Sequence, residues 1–179
     1  MTPGWRETVK LGEVSRLDKK GRIERRLAPD AAVRADLATL LDLESLESLE
    51  ATLRITPWFD GARIAGRWTA AVTQLCGVTL EPLSSDLAGD FVVHVVPEGS
   101  DLAPQTDGPE MVIEADEDDP PDVLEDDVID LGGYVIEHLA LEIDPFPRAP
   151  GVEFEPPAPD PEASPFAKLA GLKLGKDQP

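Results

Sequence analysis

The eleven residues from 16 to 26 carry a dense cluster of positive charge. Six cationic side chains stand against two carboxylates, Asp18 and Glu24, and these cations are Arg16, Lys19, Lys20, Arg22, Arg25 and Arg26. Lysine and arginine neutralise phosphate groups and release their condensed counterions. This basic cluster predicts a nucleic-acid contact. Charge that protects an edge strand against aggregation explains it equally well from the composition.

The other residue types that could do chemistry do not form a recognisable catalytic or metal-binding set. The two histidines, His94 and His138, have no nucleophile motif beside them, so a catalytic triad has no support. The single cysteine, Cys76, excludes an internal disulfide and a four-thiolate zinc site. Its place on an apolar face predicts a packed thiol. Phosphate-loop and hydrolase motifs are missing from the sequence, so we expect no enzyme, no metal and no cofactor.

The formal charge of -20 is unevenly distributed over the 179 residues. Residues 1–75 hold 12 Lys and Arg against 11 Asp and Glu, whereas residues 76–179 hold 4 against 25. A protein that covers nucleic acid with its whole surface is excluded, because phosphate binding needs a cationic footprint. Residues 101–127, rich in Asp, Glu and Pro, predict a solvated, mobile loop.

The elements that would position these charges follow from the apolar periodicity. Alternation over residues 8–14 and 22–27, around a turn at Asp18–Gly21, predicts a β-hairpin that carries the basic cluster. Ala28–Asp30 then opens a helix, with Pro29 in its first turn, and this helix ends near Leu43. Two long strands follow over residues 49–56 and 62–76, joined by a loop at 57–61. Their polar faces carry Arg54, Arg63 and Arg67.

A further strand is predicted over residues 87–96, and a second helix begins at Asp130, a good N-cap. A brief strand is also predicted at 111–113. The prediction is one α+β domain over residues 1–147 and a disordered, Pro-rich tail over 148–179. Its mostly antiparallel sheet would curl toward a barrel and be packed by two helices.

Two segments resemble a known family. The first is Cys76–Pro82, at the end of a long strand, and the second is Ile129–Leu141, followed by the exit Asp144–Arg148. Together with the Ser164–Leu169 segment they are similar to the bacterial YceD proteins, the large ribosomal RNA subunit accumulation proteins. Many members carry cysteine pairs that suggest a zinc site. Here Thr79 stands at the second position of the first pair and no cysteine follows, so that role does not carry over.

The resemblance implies a non-enzymatic ribosome biogenesis factor that supports accumulation of large-subunit (23S) rRNA. One hypothesis for its partner is precursor rRNA, contacted through the basic cluster. The other is a basic ribosomal protein or another assembly factor, bound by the acidic half without RNA contact. The sequence shows neither a signal peptide nor an apolar run long enough to span a bilayer, so we expect a cytoplasmic protein with no membrane or small-molecule partner.

Overall fold

The computed structural model describes residues 5–18, 20–104 and 119–154. This part of the chain forms seven strands and three helices. In chain order they are β1 (Thr8–Lys10), α1 (Leu11–Val14), β2 (Ile23–Leu27), α2 (Ala31–Leu40), β3 (Ser45–Trp58), β4 (Gly61–Leu75), β5 (Pro82–Pro97), β6 (Asp122–Leu124), β7 (Val128–Asp130) and α3 (Leu131–Glu142).

Five strands form the main sheet, in the order β2-β3-β4-β5-β6. Neighbours are antiparallel except β5 and β6, which are parallel. The predicted α+β class with a mostly antiparallel sheet is confirmed. The predicted curling toward a barrel is wrong, because β2 and β6 are open edges of the sheet and do not pair with each other.

The main sheet has one buried face and one exposed face. Along β3, Leu53 and Ile55 are fully buried, whereas Thr52 and Arg54 between and beside them are exposed. The core on the inner face joins the strands to α2 through Leu37 and to α3 mainly through its apolar stripe, Leu131, Val135, Ile136 and Leu139. This two-layer arrangement is typical of an antiparallel sheet with one solvated face.

The predicted N-terminal hairpin is wrong. β1 pairs with β7, with Val9 opposite Ile129, and β2 pairs with β3 at the edge of the main sheet. The turn itself exists, since the Gly21 N–H donates to the Asp18 carbonyl at 2.9 Å. Between β1 and that turn the chain forms α1, which buries Leu11 and Val14. Alternation indicated strands correctly at 8–10 and 23–27, but it carries no information about which strand each one pairs with.

Both predicted helices exist. Asp130 is the N-cap of α3 as predicted, whereas α2 begins at Ala31, just after the predicted opening at Ala28–Asp30, and Asp30 is its N-cap. The Asp30 carboxylate accepts a hydrogen bond from the Val33 N–H at 2.9 Å, and Asp130 accepts one from the Gly133 N–H at 3.1 Å. Each bond satisfies a backbone donor that has no partner within its helix. Helix α2 ends at Leu40, slightly before the predicted Leu43.

The acidic stretch 101–127 is not a loop throughout, because it contains β6 at the edge of the main sheet. Residues 105–118, with the predicted strand at 111–113, lie outside the described residues, as does most of the predicted tail, 155–179. The division into a domain of residues 1–147 and a tail of 148–179 therefore stays a prediction.

Gly66 provides the space in which Phe91 packs. The two residues are opposite each other in the β4–β5 register, and a Cβ atom on Gly66 would clash with the Phe91 ring. The Phe91 ring also stacks on His138 of α3, with ring centroids 4.1 Å apart and an interplanar angle of 18°. The missing side chain at Gly66 thus lets a strand and a helix hold one aromatic ring.

We expect Gly66→Ala to lower the free energy of unfolding by about 1–3 kcal/mol, because the added methyl displaces Phe91 from a filled core. Urea denaturation measures this change. Gly77→Ala is the control, since a Cβ atom there meets only the Pro147 carbonyl at 3.7 Å. Equal stability of the two variants would contradict this account of Gly66.

Candidate nucleic-acid interface

The exposed face of the main sheet, called here the outer face, gathers arginines from neighbouring strands. The β3–β4–β5 register places Thr56, Arg63 and His94 in one row across the sheet. In the same way, Thr52, Arg67 and Asp90 form another row. The outward direction predicted for the arginines is confirmed, and the basic residues of the outer face are Arg22, Arg26, Arg54, Arg63 and Arg67.

The basic cluster of residues 16–26 is divided between strand β2 and the segment that precedes it. Glu24 and Arg26 point to the outer face, since their partners are Arg54 and Thr52. Arg25 is opposite Leu53, so it points to the other side of the sheet, where it is exposed at the edge. The remaining cations precede β2: Arg16, Lys20 and Arg22 are exposed, and Lys19 lies outside the described residues.

Two carboxylates hold three of these arginines. Glu24 Oε1 is 2.7 Å from Arg22 Nε and 3.7 Å from Arg54 Nε, and Glu50 Oε2 is 2.8 Å from Arg26 Nη2. All five side chains are more than half exposed. Exposed pairs of this kind contribute about 0–1 kcal/mol each. An incoming phosphate can therefore replace either carboxylate at small cost.

Arg63 and Arg67 differ from the other arginines of the outer face. Within the described residues, neither has a carboxylate oxygen within the 4.0 Å of an ion pair; the pairs found involve Arg6, Arg22, Arg26 and Arg54. Arg67 is exposed and Arg63 is half-buried. Their guanidinium groups present several hydrogen-bond donors in a planar fork that suits phosphate oxygens.

An aromatic cluster lies at the end of the outer face where β3 turns into β4. The Trp58 ring stacks on His94, with centroids 4.3 Å apart and an interplanar angle of 29°. Phe59 meets Trp58 edge-on at 4.9 Å and is 80% exposed. The sequence predicts only a connecting loop at residues 57–61 and does not reveal this cluster. Two adjacent aromatic residues in a tight turn were the available signal.

Cys76 is a fully buried thiol in the turn after β4. Its Sγ accepts hydrogen bonds from the backbone N–H groups of Thr79 at 3.5 Å and Ala149 at 3.4 Å. Hydrogen bonds from Thr79 lower the pKa of the Cys76 thiol to about 6; the bond from the Thr79 side chain has the largest effect and the bond from its N–H comes next. Burial acts in the opposite direction and raises the pKa. The geometry agrees with the predicted packed thiol.

The structure offers little support for other chemistry in the part of the chain that it describes. No three His, Cys, Asp or Glu side chains there lie close enough together to hold a metal ion. His138 lies on α3, and its Nδ1 is 2.8 Å from the Tyr134 carbonyl oxygen. No helix among the described residues is both long and apolar enough to cross a membrane.

The family model described as large ribosomal RNA subunit accumulation protein YceD matches residues 64–173. This range covers more than half of the 179 residues, and the chain belongs to the YceD family. The family is named for the accumulation of an RNA and not for a reaction. The three segments that carried the resemblance, Cys76–Pro82, Ile129–Leu141 and Ser164–Leu169, lie inside the match, whereas the basic cluster lies before it. No curated protein and no solved structure matches the chain.

We expect Thr79→Val to raise the pKa of the Cys76 thiol above about 6, toward 9.0, because the strongest stabiliser of the thiolate is its hydrogen bond with the Thr79 side chain. Absorbance of the thiolate at 240 nm measures this pKa.

The lowered pKa also makes stability depend on pH. Because the pKa lies below that of the unfolded thiol, ionisation of Cys76 stabilises the fold fully above about pH 9, and this stabilisation is lost as the pH falls through about 6. The variant should lose part of that pH dependence. Thr39→Val, which removes an exposed hydroxyl on α2, is the control; an unchanged pKa in Thr79→Val would contradict the assignment.

Proposed function

We propose that this protein is a cytoplasmic, non-enzymatic ribosome biogenesis factor that contacts large-subunit precursor rRNA through the outer face and the adjoining basic cluster. Membership of the YceD family supports the link to large-subunit rRNA. The observation that carries the proposed contact is that arginines from three neighbouring strands share one solvent-exposed side of the main sheet.

The outer face suits an RNA backbone because its cations are closely and regularly spaced. Adjacent strands lie about 4.8 Å apart, and alternate residues on one strand are separated by about 7 Å. Arg54 and Arg67 are diagonal neighbours on β3 and β4 and therefore lie about 8 Å apart, and Arg26 continues the series at the sheet edge. A single RNA strand crossing the sheet can meet several of these cations at once.

A second candidate function rests on the acidic surface. The described residues that follow the segment 105–118 expose five carboxylates near β6, namely Asp119, Asp122, Glu125, Asp126 and Asp127. Such a surface attracts basic partners over long distances. The alternative is therefore a module that binds a basic ribosomal protein or another assembly factor without touching RNA.

The double variant Arg22→Gln, Arg26→Gln should bind large-subunit rRNA fragments more weakly than the wild-type protein, because it loses two phosphate contacts. Each contact contributes about 0.7 to the slope of log K against log salt for single strands, so the slope should fall by about 1.4. Fluorescence anisotropy at several salt concentrations measures both effects.

The control is the variant Lys10→Gln, Arg148→Gln. It changes the net charge equally, with exposed residues outside the basic cluster and the outer face. Equal losses in both variants would contradict a localised site. Wild-type protein that binds ribosomal proteins but no RNA would favour the alternative.

Glu24→Gln should strengthen RNA binding. The substitution releases Arg22 and Arg54 from their shared carboxylate and removes a negative charge from the outer face. We expect a gain of several-fold in affinity at low salt, in the same anisotropy experiment, because exposed ion pairs that compete with phosphate are weak. Glu142→Gln, an exposed change at the end of α3, controls for net charge. If Glu24→Gln binds RNA no better than this control, the arginines that it contacts do not meet phosphate.

A further inference from the structure

The aromatic cluster of Trp58, Phe59 and His94 is not explained by core packing. Phe59 is 80% exposed and adopts a φ of 49°, a left-handed conformation that non-glycine residues seldom take. The turn thus holds a phenyl ring in water and in contact with the Trp58 ring. An exposed phenylalanine alone is ordinary. Three rings in contact, at the rim of a basic sheet face, are a different kind of surface.

A cleft beside this cluster combines ring surface with positive charge. It encloses about 580 Å³ and is lined by Trp58, Arg63, Val92 and His94 on the sheet and by Asp119, Pro120 and Pro121 on the chain that leads into β6. Arg63 is opposite His94 in the β4–β5 register. A flat ring can stack here beside a guanidinium, while the Asp119 carboxylate on the opposite wall disfavours a phosphate within the cleft itself.

These features favour single-stranded RNA over double-stranded RNA. Aromatic side chains stack on bases that are unpaired and turned out of a helix, since the base faces inside a duplex already stack on one another. A duplex would meet only the arginines of the outer face. A single strand would use both the arginines, through its phosphates, and the rings, through its bases. The charge complementarity and the exposed rings together favour the single strand.

We propose that the outer face binds single-stranded RNA, with unpaired bases stacking on the cluster of Trp58, Phe59 and His94 while Arg54 and Arg63 hold the neighbouring phosphates. This inference rests on the proposed function, in which the same face meets rRNA, and adds to it the class of RNA that is bound. The rings make binding tolerant of sequence, because every base has a stacking face.

Trp58 itself reports on this contact. The chain has three tryptophans, and Trp5 and Trp68 are 7% and 1% exposed, whereas Trp58 is half-buried at the surface. Adding a single-stranded oligouridine to the full-length protein should quench tryptophan fluorescence. A hairpin duplex of equal length and charge should bind through the arginines with much less quenching.

The test is Phe59→Asn, because asparagine tolerates the left-handed backbone and removes the ring. Single-strand affinity should fall by about five- to a hundredfold, the range for loss of one base-stacking side chain, while duplex affinity stays the same. Phe146→Asn is the matched control, since Phe146 is 77% exposed on the segment after α3.

Each outcome has a separate meaning. A selective loss of single-strand binding in Phe59→Asn, with Phe146→Asn unchanged, supports the stacking site. Unchanged single-strand affinity in Phe59→Asn, with binding still lost in Arg22→Gln, Arg26→Gln, overturns the stacking site and leaves the proposed function standing. An absence of RNA binding by the wild-type protein overturns both.

Discussion

The register between β3 and β4 is the constraint on which both the core and the outer face depend. Trp58 pairs with Gly61, so only Phe59 and Asp60 connect strands of 14 and 15 residues. Because side chains alternate with a period of two, a slip of one residue would carry the whole apolar set into solvent. The same slip would bury Arg54 and leave Leu53 exposed. Burial of the core therefore also determines which charges face outward, without any interaction among the charges themselves.

Local patterns predict the elements, and long-range contacts decide their partners. The alternation in β3 and β4 lies within a few neighbouring residues, as do the capping carboxylates of Asp30 and Asp130 and the helices that they begin. The sequence therefore predicts these elements. The pairing of Val9 with Ile129 joins distant parts of the chain, so no local sequence pattern predicts it. The start of β3 was also hidden. A β-bulge at Glu47 interrupts the alternation, and Leu46 before it is buried on the same side as Leu49 after it.

The charges of the site were predictable, but the contact between Trp58 and His94 was not. Alternation alone places the arginines of β3 and β4 outward, whereas Trp58 meets His94 only through the registers of three strands.

Distance limits the effect of the net charge of -20 on the outer face. Strands β2 and β5 are three spacings, or about 14 Å, apart. The screening length is about 10 Å at 0.1 M salt, so Asp86 and Asp90 on β5 scarcely weaken the attraction between Arg26 and a phosphate.

The parallel pairing of β5 and β6 explains why the acidic connection exists at all. Val95 is opposite Asp122 and Pro97 is opposite Leu124, so the chain that leaves β5 must travel back before it can run alongside. A return of this kind needs about a dozen residues, and residues 98–121 supply about twice that number. Since doubling a loop costs only about 0.6 kcal/mol in closure entropy, a change in the length of this connection would have a small effect on stability. Such a change would leave the pairing of β2, β3 and β4, the strands that carry the arginines, as it is.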